Sequence, residues 1–241
     1  MLTLSSAALS ATEITRLLLA LAVLISYLWS MPWRSGSRTA AELASQIVLP
    51  LYMGFLLPVI CLGYASAAIA EERTGETLVY LLTTNIPRPL IYLSKYAAAL
   101  LLTLGMTLGG LAALCLVPGE IGREALGVFW TVTVCATAAY VGLFLLFSAM
   151  VRRATFLALA YALVIETLTG NIPGVVKRIT VSFYAKSWLY ESGEPLGLAP
   201  KDVALSLFDP VSAATAQWVL GLASAGFVAL GMWIFSRKEY D

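Results

Sequence analysis

The chain has 241 residues, 60% of them hydrophobic and 12% charged, with a net charge of +1 and a mean hydropathy of +0.86. That composition is too apolar and too weakly charged for an ordinary soluble domain, and it places the chain in a lipid bilayer. The near-neutral balance supplies no basic face for nucleic acid, and the absence of histidine removes the usual general base, the commonest metal ligand and the physiological pH switch.

A spanning helix needs about 20 mostly apolar residues. Six segments meet that requirement, at 17–33, 49–70, 96–117, 125–151, 154–170 and 211–235. The predicted fold is an all-α integral membrane protein, a single transmembrane domain over residues 1–241, because strands would need short alternating segments closed into a barrel. The first apolar run follows Glu13 and Arg16 without a basic leader or a small-residue cleavage site, so it reads as a retained span. The second carries Pro50 and Pro58, expected as kinks.

Between the second and third spans lies the most charged connector in the chain, Glu71-Glu72-Arg73-Thr74-Gly75-Glu76-Thr77-Leu78-Val79-Tyr80-Leu81-Leu82-Thr83-Thr84-Asn85-Ile86-Pro87-Arg88-Pro89. Gly75 is positioned to break the second span, and Thr74 to cap a new short helix with Glu76 in its first turn. Leu78, Leu81 and Leu82 then share one face, while Pro87 and Pro89 are expected to stop continuation into the third span. Periodicity alone serves a solvated interfacial helix as well as it serves a docking element.

In the third span Gly105 and Gly109 form a Gly-x-x-x-Gly step beside Gly110, which predicts close helix packing. Cys61, Cys115 and Cys135 fall within apolar runs and read as small core hydrophobes. Glu166 is the one acidic residue well inside a predicted span. It is either a functional carboxylate or the acceptor for backbone donors in the turn that follows. From Pro173 to Leu189, apolar residues alternate with Lys177, Arg178 and Lys186, predicting short outer interfacial helices, as a gate or as a lipid-seated lid. Trp29, Trp33, Trp130, Trp188, Trp218 and Trp233 are expected to form an interfacial belt.

Orientation follows from basic residues in short connections. With both termini cytoplasmic, Arg16, Arg73, Arg88, Lys95, Arg152, Arg153, Arg237 and Lys238 lie inside, against Arg34, Arg38 and Arg123 outside. The connector is then cytoplasmic.

The run from Glu72 to Arg88, followed by Leu90-Ile91-Tyr92-Leu93-Ser94-Lys95, resembles the connector of ABC-2 type transporter permeases: an acidic residue, a Gly-x-Thr-Leu step, a Leu-Leu-Thr run, a Pro-Arg pair and a Lys opening the third span. The stretch from Glu166 to Gly174, leading to Tyr184, is similar to the carboxylate, Pro-Gly turn and outer helices of the same family. The short polar N-terminal segment departs from the family's interfacial elbow helix.

The resemblance implies a permease subunit of an ATP-driven exporter in the plasma membrane of a prokaryote. The connector would be a coupling helix seated on an ATPase subunit, with Glu71, Glu72, Arg73, Gly75, Glu76, Leu78, Tyr80, Leu81 and Leu82 at that contact. A second permease subunit, identical or related, would complete the pathway.

No Gly-x-x-x-x-Gly-Lys-Ser/Thr loop occurs, so no nucleotide-binding domain is expected within these residues, and no cofactor or metal is expected in the chain. ATP and Mg belong to the partner ATPase. A rival reading compares Glu71-Glu72-Arg73 with intramembrane proteases, but the spacing is wrong and the histidines for such a metal site are missing. A secondary transporter lacks support from internal repeats, and a membrane scaffold is a further alternative.

Overall fold

The computed structural model describes residues 16, 18–28, 39–74, 87–150, 161, 178–198 and 210–237. Among these, all regular structure is helical: α1 (Leu18–Leu28), α2 (from Ala40 to Thr74), α3 (Arg88–Leu116), α4 (Glu120–Met150), α5 (Val181–Ser192) and α6 (Ala213–Arg237), with a 3-10 turn at Glu194–Leu196. Four helices are long and apolar enough to cross a membrane, over Ala40–Ala65, Arg88–Leu116, Glu120–Met150 and Ala213–Arg237. The predicted fifth span, with Glu166, lies outside the described residues apart from Tyr161, whose ring meets Phe144 and Phe147 of α4 edge-on at 6.3 and 5.9 Å.

Each long helix is displaced from its predicted bounds for a local reason. The second begins at Ala40, not at residue 49, because Thr39 and Glu42 form a capping box: Glu42 N–H donates to Thr39 Oγ1 at 3.3 Å and Thr39 N–H to the Glu42 carboxylate at 3.4 Å. That reciprocal pair satisfies two donors that a helix start leaves open. The expected kink at Pro50 is replaced by a 13-residue π-helix, Ala44–Leu56. Its wider i→i+5 winding accommodates a residue that lacks an N–H and crowds the carbonyl one turn back. The α-helix resumes over Leu57–Thr74, so Thr74 is itself helical within α2, and the short helix expected after it lies outside the described residues.

The third helix begins at Arg88, not at 96, with Pro87 as its extended N-cap. Pro89 sits in the first turn, where a missing N–H costs nothing, so α3 starts within the Pro-Arg-Pro elbow. Gly119, at φ +76°, closes the turn from α3 into α4. The N–H of Gly119 donates to the Leu116 carbonyl at 3.1 Å, and α4 runs from 120 to 150 in place of 125–151. The last helix covers 213–237 in place of 211–235.

The helices form one bundle around α4, whose buried side is continuous from Gly122 to Ala149. Residue pairings give each direction. α1 runs parallel to α3, with Leu19 against Gly110 and Ser26 Oγ donating to the Leu114 carbonyl at 2.9 Å. α2 runs antiparallel to α3, with Tyr52 beside Thr107 and Ala68 against the small cluster that holds Ile91 and Tyr92. α4 and α6 run parallel, since Ser224 meets Ala138 and Phe227 meets Gly142. Thr74, Arg88, Met150 and Arg237 therefore lie at one end of the bundle, the connector end, and Ala40, Leu116, Glu120 and Ala213 at the other. The segment 151–212 joins Met150 at the connector end to Ala213 at the far end.

α5 corrects two expectations. Val181, Phe183, Ala185, Trp188 and Leu189 are buried, and Val181, Ala185, Trp188 and Leu189 belong to the same core as residues of α2, α4 and α6. The helix is seated on the bundle, and its apolar side is not spent on lipid. Trp188 accordingly leaves the belt, whereas Trp218 and Trp233, near the two ends of α6, are exposed. Arg237 lies 4.7 Å from the Trp233 ring centroid, a cation–π contact suited to the membrane interface.

The outer faces of α3 and α6 carry exposed Leu101, Leu102, Leu116, Leu222 and Leu230. Helices apolar on every side belong in lipid. Among the described residues, nothing outside the helix stands within 4 Å of a Cβ added at Gly105 or Gly109, whereas at Gly110 such a Cβ meets Leu19 of α1.

Candidate functional site

The connector is held by its two flanking helices. Glu71, Glu72 and Arg73 are helical as the last turn of α2, which carries the charged triplet out of the span in helical form. Their side chains lie outside the described residues, as do Gly75, Glu76, Leu78, Tyr80, Leu81 and Leu82. On the other side, Leu90 N–H donates to the Pro87 carbonyl at 2.9 Å. Pro87, Arg88, Pro89 and Leu90 are exposed, and Ile91 and Tyr92 are buried. The start of α3 is thus exposed for one turn and anchored by the next.

That anchor is a small core of its own. Ile91 and Tyr92 of α3, Leu145 and Ala149 of α4, and Val228 and Phe235 of α6 pack together, separate from the larger core, with Ala68 of α2 against them. Tyr92 lies with its hydroxyl end over Gly231, where any Cβ would overlap it. Its ring stands 5.9 Å from that of Phe235. One turn on, the Tyr96 hydroxyl lies 3.1 Å from Ser224 Oγ and 3.3 Å from the Ala138 carbonyl, and Ser224 Oγ donates to the same carbonyl at 3.2 Å. Three helices meet at this point.

A regular helix pairs the Ala138 carbonyl with the N–H of Gly142, and a Cβ on Gly142 would stand 3.4 Å from Phe227 Cβ and 3.8 Å from the Tyr96 ring. Tyr92 and Tyr96 stand four residues apart on one face of α3, a spacing visible in the sequence. Their partners on α4 and α6 were not.

Midway along the bundle runs a belt of buried hydroxyls. The Tyr52 hydroxyl donates to the Thr107 carbonyl at 2.5 Å, Thr107 Oγ1 to the Thr103 carbonyl at 2.9 Å, and Thr137 Oγ1 to Thr107 Oγ1 at 3.4 Å. Thr103 and Thr133 each return a bond of 2.7 Å to the carbonyl four residues back. Among the described residues, the buried serine and threonine side chains are the bundle's buried polar groups besides tyrosine and cysteine. Tyr52 and Thr137 cross-link neighbouring helices through Thr107 with neutral hydrogen bonds.

At the far end, Glu191 of α5 accepts the Ala213 N–H at 2.6 Å, and Ser212 Oγ accepts from Thr215 N–H at 3.4 Å. Both satisfy open donors at the start of α6. α5 is therefore tied to the last membrane helix as well as buried against it.

No curated protein matches the chain. A model of the family described as "ABC-2 family transporter protein" matches residues 10–175, a stretch that holds α1 to α4 and the whole connector. With most of its length inside that match, the chain belongs to the ABC-2 family of transporter proteins.

Proposed function

We propose that this chain is the permease subunit of an ATP-driven ABC exporter, and that it couples ATP hydrolysis in a separate ATPase subunit to movement of a substrate across the plasma membrane of a prokaryote. The observation that carries the reading is the family match across the connector. The anchoring of the chain on both sides of that connector adds to it: α2 reaches Thr74 and α3 starts at Arg88, beside one small core. A push delivered between those positions meets two packed helices.

In this reading Leu78, Tyr80, Leu81 and Leu82 make the mechanical contact with the ATPase, and Glu71, Glu72, Arg73 and Glu76 set its register. Exposed ion pairs contribute only about 0 to 1 kcal/mol each, so they align the surfaces more than they hold them. Gly75 separates the lever from α2. The chain itself catalyses no covalent step. ATP and Mg are bound by the partner, and a second permease subunit completes the pathway.

The six-span plan draws support from chain direction. α4 and α6 run parallel, and a return crossing in segment 151–212 accounts for that. Glu166 falls within this segment and is assigned there to the turn at the far end. Both termini and the connector are placed in the cytoplasm by the balance of basic residues.

The test is co-purification from membranes. The parent chain is expected to retain an ABC ATPase, and Leu78→Glu with Leu81→Glu to lose it while still inserting. An unchanged yield of ATPase with the double variant would overturn the lever.

A further inference from the structure

We propose that Tyr92 and Tyr96 are the positioning residues through which displacement of the connector reaches α4 and α6, so that the connector ends of α3, α4 and α6 move as one body. The inference rests on the permease reading and adds the place where its motion enters the bundle.

Three observations converge on it. The small core at the connector end draws its six buried residues from α3, α4 and α6 and is separate from the main core. Tyr92 is keyed into α6 at Gly231, so α3 cannot slide past α6 without lifting that ring. Tyr96 adds a directional tie: its hydroxyl, Ser224 Oγ and the Ala138 carbonyl lie within 3.1 to 3.3 Å of one another, one group from each helix. Both tyrosines lie within the first three turns after Pro87, the N-cap of α3. Packed interfaces of this kind hold one arrangement or another and do not deform smoothly.

Two spin-label pairs read the proposal in the permease–ATPase complex reconstituted in lipid nanodiscs, with Cys61→Ala, Cys115→Ala and Cys135→Ala as background. Leu93→Cys with Trp233→Cys, both at exposed positions of the connector end, reports whether α3 and α6 stay together there. Leu24→Cys with Trp218→Cys, also exposed, reports motion of α6 at its far half against α1, which is outside the small core. On trapping with ATP and vanadate, the first distance is expected to stay constant and the second to shift.

Tyr96→Phe with Ser224→Ala removes the tie while keeping the ring, and Gly231→Ala lifts Tyr92 by a different route. Each is expected to retain the ATPase on purification and to lose the shift of the second pair. A shift that persists in both variants, or a first distance that changes in the parent, overturns the joint while leaving the permease reading intact. Absence of an ATPase in the parent complex overturns the permease reading, and the joint with it.

Discussion

Tyr92 rests on Gly231: the hydroxyl end of the tyrosine occupies the space where a side chain at 231 would begin. In lipid, where the tails are as apolar as leucine, helices associate by close fit more than by the hydrophobic effect. Gly231→Ala is therefore expected to destabilise the bundle by about 1 to 3 kcal/mol, the usual cost of overpacking. Gly105→Ala, whose Cβ would have nothing within 4 Å among the described residues, should be neutral or slightly stabilising through helix propensity. Thermal unfolding of the two variants in one detergent checks the contrast, and equal losses would remove Gly231 from the joint.

Tyr52→Phe isolates the hydroxyl belt. The ring is fully buried and its hydroxyl donates to the Thr107 carbonyl across 55 residues of chain. Phenylalanine keeps the packing, so only the hydrogen bond between α2 and α3 is lost. Such bonds between membrane helices average about 0.6 and reach about 1.7 kcal/mol, and a loss in that range is expected on reversible unfolding in mixed micelles. Thr107→Val keeps the backbone carbonyl that Tyr52 bonds but removes the acceptor of Thr137 Oγ1, so combining it with Tyr52→Phe is expected to give additive losses.

Gly119 makes the turn between α3 and α4 at φ +76°, in the left-handed region. Among the described residues an added Cβ meets no neighbour there, so the expected cost of Gly119→Ala is that of the backbone, about 1 to 2 kcal/mol. Gly119→Asn should recover much of it, since asparagine visits that region more readily. Matching stabilities for the two variants would mean that the turn relaxes elsewhere.

The apolar runs made the long helices legible, and with them the membrane class and the connector. The helix starts were hidden by residues that a hydropathy window rejects. Glu42 and Gln46 precede the most apolar part of α2, yet Glu42 completes a capping box and extends the helix nine residues. Arg88 and Pro89 lie before the apolar run that marks the third span from Tyr96, and they form the first turn of α3. Trp188 was assigned to an interface by residue type, whereas its burial depends on α5 folding back over α2, α4 and α6, a long-range contact without a local signal. The tyrosine joint has the same character: the spacing of Tyr92 and Tyr96 is local, but Gly142, Ser224 and Gly231 become partners only once α4 and α6 lie parallel.

Glu191 offers a test of the far end. Its carboxylate accepts the Ala213 N–H at 2.6 Å from a position 22 residues earlier in the chain, so it caps α6 from outside that helix and ties α5 to it. A carboxylate at a helix N-terminus also meets the positive end of the helix dipole. Glu191→Ala is expected to cost about 0.5 to 2 kcal/mol, the range for losing a side-chain cap. Glu191→Gln keeps an acceptor oxygen but gives up the charge, and should cost less. Because Ser212 still accepts from Thr215, the loss should be local: in hydrogen exchange the amide of Ala213 speeds up in the alanine variant, while amides beyond Leu220 stay protected. Faster exchange along the whole of α6 would mean that Glu191 holds the last helix in the bundle and does more than cap its first turn.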